Sequence, residues 1–338
     1  MAGMERNLGF ELVRATEAAA LRAARWMGRG ERDFADQAAV DAMRFVLDSI
    51  AMDGLVVIGE GEKDEAPMLF IGERLGTGSP PQVDIAVDPV EGTSLLALGQ
   101  PGAIAVVAVG DRGTLFGTRE VVYMDKLVVG QEAKDAIDLN APVETNIRNV
   151  AKAKGMDVDD LTVVVLDRPR HADLIKQIRA TGARIQLIPH GDVAPSLQAM
   201  LPFGEVDMLM GVGGAPEAVI SACGARCLEG GIQCRLWPRD EKERQNAIAA
   251  GLDVDKVMGM DDLVKSQDVF LAATGITSGE FLRGVQFFGH GARTHSIVMR
   301  SASGTVRYVE ATHHFEKLMA IAELPYEDAE LRKAPRIN

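Results

Sequence analysis

The sequence predicts an α+β lobe with a mainly antiparallel sheet, joined to an α/β lobe with a mainly parallel one. Residues 1–130 read as helix, helix, strand, helix and then successive strands, an order that favours antiparallel pairing. Residues 161–273 alternate strand with helix, the rhythm of parallel βαβ units. The turns after those later strands hold Arg, His, Asp and Gly, at the strand ends where open α/β sheets bind ligands. We therefore expect an α+β metal-binding lobe over residues 1–155 and an α/β substrate lobe over residues 156–330, with the site between them.

A chain of 338 residues with 47% hydrophobic content is long enough for two such lobes and a sizeable core. Its net charge of −13 argues against a nucleic-acid or anionic-membrane partner, since both need a basic surface. An anionic small molecule stays admissible, because a few arginines and bound cations reverse the field inside one cleft. No apolar run approaches the ~18 residues of a membrane span and no signal-peptide core is found, so a cytoplasmic protein is expected. Cys223, Cys227 and Cys234 lack a neighbouring histidine to complete a zinc set and read as buried free thiols.

Residues 8–27 form an amphipathic helix with Leu12, Thr16, Ala19, Ala23 and Trp26 on one stripe, ended by Gly28 and Gly30. A second helix over 34–50 buries Val40, Met43, Leu47 and Ile50. Asp36 falls on that stripe, where it either meets a metal ion or complements the helix dipole. Residues 55–58 are a strand ending in Gly59-Glu60-Gly61-Glu62, whose glycines let alternate carboxylates face one point. Asp64 then caps a helix over 65–75. The next strand, 83–88, stops at Asp88 because Pro89 cannot donate to a ladder. Gly92 permits a sharp turn, so Asp88, Glu91 and Thr93 converge on either a cation corner or an ordinary surface turn. Strands over 103–109 and 120–129, the latter holding Tyr123, precede a less regular polar stretch at 131–160.

In the second half, strand 161–166 leads into Asp167-Arg168-Pro169-Arg170-His171 and a helix to 180. Strand 184–188 leads into Pro189-His190-Gly191-Asp192 and a helix to 201, and strand 206–210 into a Gly-rich turn over 211–217 and a helix through 227. A long charged helix precedes strand 269–273, and residues 294–299 and 305–309 form a hairpin. His313 and His314 point apart on a regular element and read as a solvated pair.

Asp36, Glu60, Asp88, Glu91 and Glu217 offer oxygen ligands for divalent cations, a set that suits Mg²⁺ or Mn²⁺ over Zn²⁺. Such clusters clamp a phosphoryl group and lower the pKa of water. Thr93 would position that water and Asp64 accept its proton. Arg168 and Arg170, fixed around Pro169, would grip a phosphate in bidentate fashion, unless they form an ordinary basic surface loop. The 211–217 turn resembles a dinucleotide fingerprint, but Pro216 replaces its third glycine and Glu217 would repel a pyrophosphate, which disfavours a nicotinamide dehydrogenase.

The run Asp88-Pro89-Val90-Glu91-Gly92-Thr93 resembles the signature of the lithium-sensitive, metal-dependent phosphatase superfamily. The chain is most similar to class II fructose-1,6-bisphosphatase, the bacterial GlpX type. Matching segments include Gly28-Arg29-Gly30, Ile58-Gly59-Glu60-Gly61-Glu62, Asp64-Glu65-Ala66-Pro67-Met68-Leu69 and Asp84 to Thr93. They continue through Arg168-Pro169-Arg170-His171, Gly191-Asp192-Val193, Gly213-Gly214-Ala215-Pro216-Glu217 and Ala273-Thr274-Gly275-Ile276-Thr277, nearly the whole chain. The 167–171 form and Gly291-Ala292-Arg293-Thr294 look most like the photosynthetic branch, some members of which also take sedoheptulose 1,7-bisphosphate.

The resemblance implies the layered sugar-phosphatase fold and Mg²⁺- or Mn²⁺-dependent hydrolysis of the 1-phosphate of fructose 1,6-bisphosphate, in gluconeogenic or Calvin-type metabolism. It places metal ligands at Asp36, Glu60, Asp88, Glu91 and Glu217, and the water-activating pair at Thr93 and Asp64. It places substrate contacts at Glu91, Gly92, Thr93, Tyr123, Arg168, Pro169, Arg170, His190, Gly191, Asp192 and Gly214. It also implies a homo-oligomer, dimer or tetramer. His190 departs from the pattern, since many relatives carry an acid there, and Arg32 and Arg168 stand where others have lysine. An inositol-phosphate phosphatase of the same fold is the alternative within the enzyme class. A non-catalytic sugar-phosphate sensor is the alternative outside it, although such a protein would not need Asp64 and Thr93.

Overall fold

The structure of the protein, a computed structural model, describes residues 4, 7–60, 69–117, 120–202 and 204–321. Two helices lead, α1 (Leu8–Ala23) and α2 (Arg32–Asp48), and both bury the stripes that the sequence marks, Leu12 to Ala23 on one and Val40, Met43 and Leu47 on the other. There follow β1 (Asp53–Ile58), β2 (Arg74–Leu75), β3 (Gln82–Glu91), α3 (Thr93–Leu98), β4 (Ile104–Asp111) and β5 (Tyr123–Val129). Next come α4 (Val143–Lys154), β6 (Thr162–Leu166), α5 (Ala172–Ala180), β7 (Arg184–Ile188), α6 (Val193–Met200), β8 (Met208–Gly214), α7 (Ala215–Leu228) and β9 (Gly231–Leu236). The chain continues through α8 (Glu241–Ala249), α9 (Met260–Leu263), β10 (Phe270–Gly275), β11 (Gln286–Phe288), β12 (Gly291–Arg300), β13 (Thr305–His314) and α10 (Phe315–Ile321).

The strands form two mixed sheets, so the fold is α+β. One has eight strands in the order β11-β12-β10-β4-β3-β1-β2 with β13 beside β12, and the other has five in the order β7-β6-β8-β5-β9. Alternate residues of a strand face opposite sides of its sheet. On β4, Val107 and Val109 pack with α1 and α2, while Val106 and Ala108 meet α6 and α7. On β6, Val164 faces α6 and α7, while Val163 and Val165 pack with Ile147 of α4 and Ile178 of α5. The layers therefore run α1/α2, large sheet, α6/α7, small sheet, α4/α5. The middle layer is apolar on nearly every side, as Ala218, Val219, Ile220, Ala222 and Cys223 of α7 show.

Several expectations are corrected. The sheets do not follow the division at residue 155, because β5 joins the small sheet and β10, β12 and β13 return to complete the large one. The small sheet is parallel only across β7, β6 and β8; β5 and β9 run antiparallel. Strand β3 runs past Pro89 to Glu91, since the register to β4 shifts between Asp88 and Glu91 and the missing N–H falls in that irregularity. The Gly-rich 211–214 segment is strand, not turn, because Tyr123 to Lys126 of β5 supply its ladder partners. The polar stretch 131–160 contains α4, whose Ile147, Val150 and Ala151 form a buried stripe among charged residues. Strand β9 was not anticipated, and it carries Cys234.

The helix expected over 65–75 falls partly outside the described residues, and its end is instead a turn leading to β2. There Gly72 takes φ +99°, which no helix allows, and the Glu73 carboxylate accepts the Leu69 N–H. The hairpin of β12 and β13 is present. His313 and His314 do not form a solvated pair, because the His313 Nε2 lies 2.8 Å from the Thr294 hydroxyl beside buried Glu17. The three cysteines are buried and free. Among the described residues no helix is long and apolar enough to cross a membrane.

Candidate active site

The acidic residues converge where β1 and β3 end, facing the start of α7. Parallel pairing of β1 with β3 brings their C-terminal ends together, and Glu60 lies two residues past β1 while Asp88 and Glu91 lie on β3. Glu217 sits in the first turn of α7, and Asp36 reaches in from the first turns of α2. Carboxylate oxygens of Asp88, Glu91 and Glu217 all lie within 4.8 Å of one another. Asp36 and Glu60 stand beside that group, with Glu60 close enough to act on Asp36, Asp88 and Glu217.

Like charges packed out of water disfavour ionisation. Burial first, and then Glu60, raises the Asp36 pKa to about 7. Burial first, and then Glu217 and Asp192, raises that of Glu91 to about 8. Burial and Glu91 push Asp88 well above its ordinary value, and burial lifts Glu60 and Glu217 as well. The Lys126 ammonium opposes these shifts at Glu91 and Glu217 without outweighing burial. Glu217 Oε2 is buried with no hydrogen-bond partner among the described residues, which fits a cation ligand. An all-carboxylate donor set suits a hard divalent cation.

Two neighbours hold this group in place. Asp88 Oδ1 accepts the Val90 N–H at 3.0 Å, which keeps the carboxylate over the bulge. Glu91 Oε1 accepts the Val193 N–H at 2.9 Å, so one carboxylate of the large sheet caps a helix of the middle layer. Gly92 follows at φ +88°, and Thr93 opens α3 with its hydroxyl donating to Val90 O at 3.1 Å and touching Asp36. Asp64, the expected proton acceptor, lies outside the described residues.

The opposite wall comes from the small sheet. Arg168, Pro169 and Arg170 follow β6, His190, Gly191 and Asp192 follow β7, and Gly214 ends β8 beside Tyr123 at the start of β5. The Arg170 guanidinium lies 5.0 Å from the Tyr123 ring centroid and donates twice to Val212 O, at 3.2 and 2.7 Å. Arg168 Nη2 donates to His190 Nδ1 at 3.1 Å. Burial, then Arg168 and Arg32, hold the His190 pKa below the usual histidine range, so its ring is neutral. Pro169 is exposed and serves to start the short helical turn 169–171. A cleft of about 400 Å³ opens beside His190 and Gly191, walled by Leu95, Ile104, Phe281 and Leu282 and free of the acidic group.

Sequence reasoning missed Lys126. It is fully buried on β5, and its ammonium donates to Asp192 Oδ2 at 2.8 Å. Burial pulls its pKa down, but Asp192 and Glu217 outweigh that and hold the ammonium charged. The signal was available: Lys126 occupies the inward position between Met124 and Val128, where an unpartnered lysine would be costly.

The chain matches, over residues 6–313, the family model described as bacterial fructose-1,6-bisphosphatase, glpX-encoded. It is 46% identical over 334 residues to the class 2 fructose-1,6-bisphosphatase of Haemophilus influenzae, covering 95% of this chain and 100% of that one. To fructose-1,6-bisphosphatase 1 class 2 of Escherichia coli it is 45% identical over 327 residues, covering 93% and 97%. Among solved structures, an extragenic suppressor from Pyrococcus furiosus aligns at a TM-score of 0.30 and 13% identity over 60% of this chain and 72% of that one, too slight a likeness to argue from. Matches of this length and identity show that the chain belongs to the glpX-encoded bacterial fructose-1,6-bisphosphatase family.

Proposed function

We propose that the protein is a divalent-cation-dependent phosphoric monoester hydrolase that converts fructose 1,6-bisphosphate to fructose 6-phosphate and phosphate, a gluconeogenic or Calvin-type step. The observation that carries this reading is the Asp88, Glu91 and Glu217 group, within 4.8 Å, opposite an arginine-bearing wall in a member of this family. Asp36, Glu60, Asp88, Glu91 and Glu217 would hold Mg²⁺ or Mn²⁺. When bound, such cations neutralise phosphoryl charge and ease deprotonation of water.

The chain's own groups do the rest. Gly92 leaves the backbone bare for close approach of the 1-phosphate. The Thr93 hydroxyl orients the attacking water, and Asp64 takes its proton. Water oxygen bonds to phosphorus as the bond between phosphorus and the oxygen on carbon 1 breaks, and that departing oxygen takes a proton from solvent. Arg168 and Arg170 hold the sugar's far phosphate, while Tyr123, His190, Gly191, Asp192 and Gly214 position the sugar. Asp192, fixed by Lys126, offers an acceptor to its hydroxyls. The layered sugar-phosphatase architecture, a cytoplasmic location and a dimer or tetramer belong to this proposal.

The test is phosphate release from fructose 1,6-bisphosphate, sedoheptulose 1,7-bisphosphate and inositol monophosphate, each with Mg²⁺, Mn²⁺ or EDTA. We expect release from fructose bisphosphate that EDTA abolishes, and none from inositol monophosphate. Sedoheptulose bisphosphate turnover would extend the substrate range. Activity in EDTA would overturn the cation reading, and a preference for inositol monophosphate the substrate reading.

A further inference from the structure

Parallel strands β6 and β8 pair at Val163–Met208 and Val164–Leu209 and then part company toward their C-terminal ends. The ring of His171, a buried residue, fills the gap. Its Nδ1 lies 2.7 Å from Leu166 O on β6, and its Nε2 lies 2.8 Å from the Val212 N on β8. A carbonyl only accepts and a backbone N–H only donates, so Nδ1 carries the proton and Nε2 is bare. Burial, with Arg170 alongside, holds the ring's pKa below the histidine norm despite the opposing Leu166 bond. Gly211, at φ +118°, leaves the space, since a Cβ there would come within 3.0 Å of Nε2.

The carbonyl of Val212 is gripped by the side chain preceding His171, because Arg170 Nε and Nη2 both donate to Val212 O. Consecutive side chains of one loop thus hold both polar groups of Val212. Resting on the reading of Arg170 as a substrate-phosphate ligand, we propose that His171 is a positioning residue that, as the Nδ1–H tautomer, orients the Val212 backbone and through it the Arg170 guanidinium. His171 touches no reacting atom, so its effect falls on substrate affinity. Loss of a buried hydrogen-bond partner predicts a rise in KM for fructose bisphosphate of about tenfold in His171→Phe, with kcat held within about threefold.

His171→Gln, whose amide oxygen can accept the Val212 N–H, should recover most of that affinity, which loss of packing alone would not explain. In an Arg170→Met background, His171→Phe should add nothing further to KM. Unchanged KM in His171→Phe, kcat falling as KM rises, failure of Gln to rescue, or full additivity with Arg170→Met would each overturn the proposal. Should His171→Phe fail to fold, the Gln variant and the ¹⁵N spectrum of wild-type histidines decide: a ring protonated at Nε2 overturns it. Wild-type protein inert toward fructose bisphosphate would defeat the functional reading instead, and the tautomer would still decide the clamp.

Discussion

Glu91 answers to both sheets at once. It stands on β3 beside Asp88, accepts from Val193 at the start of α6, and shares the field of Asp192, Glu217 and Lys126. Lys126 is the nearby buried cation, and removing it would leave Asp192 facing Glu91 and Glu217 uncompensated. We expect Glu91→Gln and Thr93→Ala to lower kcat by about two to three orders of magnitude while the circular dichroism stays that of wild type. Unchanged phosphate release in either variant would remove it from the site. The positions of Glu91 and Thr93 were legible from Gly92, which marks the turn from β3 into α3. Lys126 was not picked out, because its partner Asp192 lies 66 residues away and only the fold brings them together.

At the scale of elements, β8 shows why its glycines are glycines. A Cβ at Gly213 would sit 1.8 Å from Asp192 Oδ2, and one at Gly214 would sit 1.8 Å from Glu217 Oε2. These are clearances for carboxylates, and the phosphate-cradling turn that the sequence brings to mind is absent, since β5 pairs along the whole segment. The atoms in the way are ends of side chains, so the chain can yield without unfolding, but only by moving Asp192 from Lys126. Gly213→Ala should therefore raise KM about tenfold or more, with a stability loss of no more than about 3 kcal/mol by thermal denaturation. Wild-type KM in that variant would show that Asp192 does not need its observed place. Helix α4 was hidden for a related reason: its apolar stripe is narrow, and charged residues dominate its local composition.

For the whole molecule, the raised carboxylates link stability to pH. A carboxyl whose folded pKa lies above its unfolded value binds more protons folded, so stability falls as pH rises between the two values. For Asp36 and Glu91 that window runs from the ordinary values of 3.8 and 4.5 up to about 7 and about 8. The melting temperature in EDTA should therefore fall as pH rises from 6 to 8, an effect of order several degrees. Saturating Mg²⁺ or Mn²⁺ should flatten that slope by holding the carboxylates ionised. Glu17, raised to about 7 by burial against the hydrogen bond it accepts from Thr294, should leave a residual slope that Glu17→Gln removes. Equal slopes with and without cation would mean that the acidic group binds none.

The sequence by itself determined the local facts. The amphipathic helices, most of the strands, the acidic corner at Asp88 to Thr93 and the arginine turn after β6 all follow from periodicity and from proline and glycine chemistry, which act over a few residues. Tertiary structure alone decided which strands share a sheet, because β5 pairs with β8 and β9 while β10 pairs with β4 and β12. It also decided that Lys126 neutralises Asp192 and that His171 bridges β6 to Val212. Those choices depend on which buried polar groups meet across the fold, and local sequence carries no direct record of such encounters.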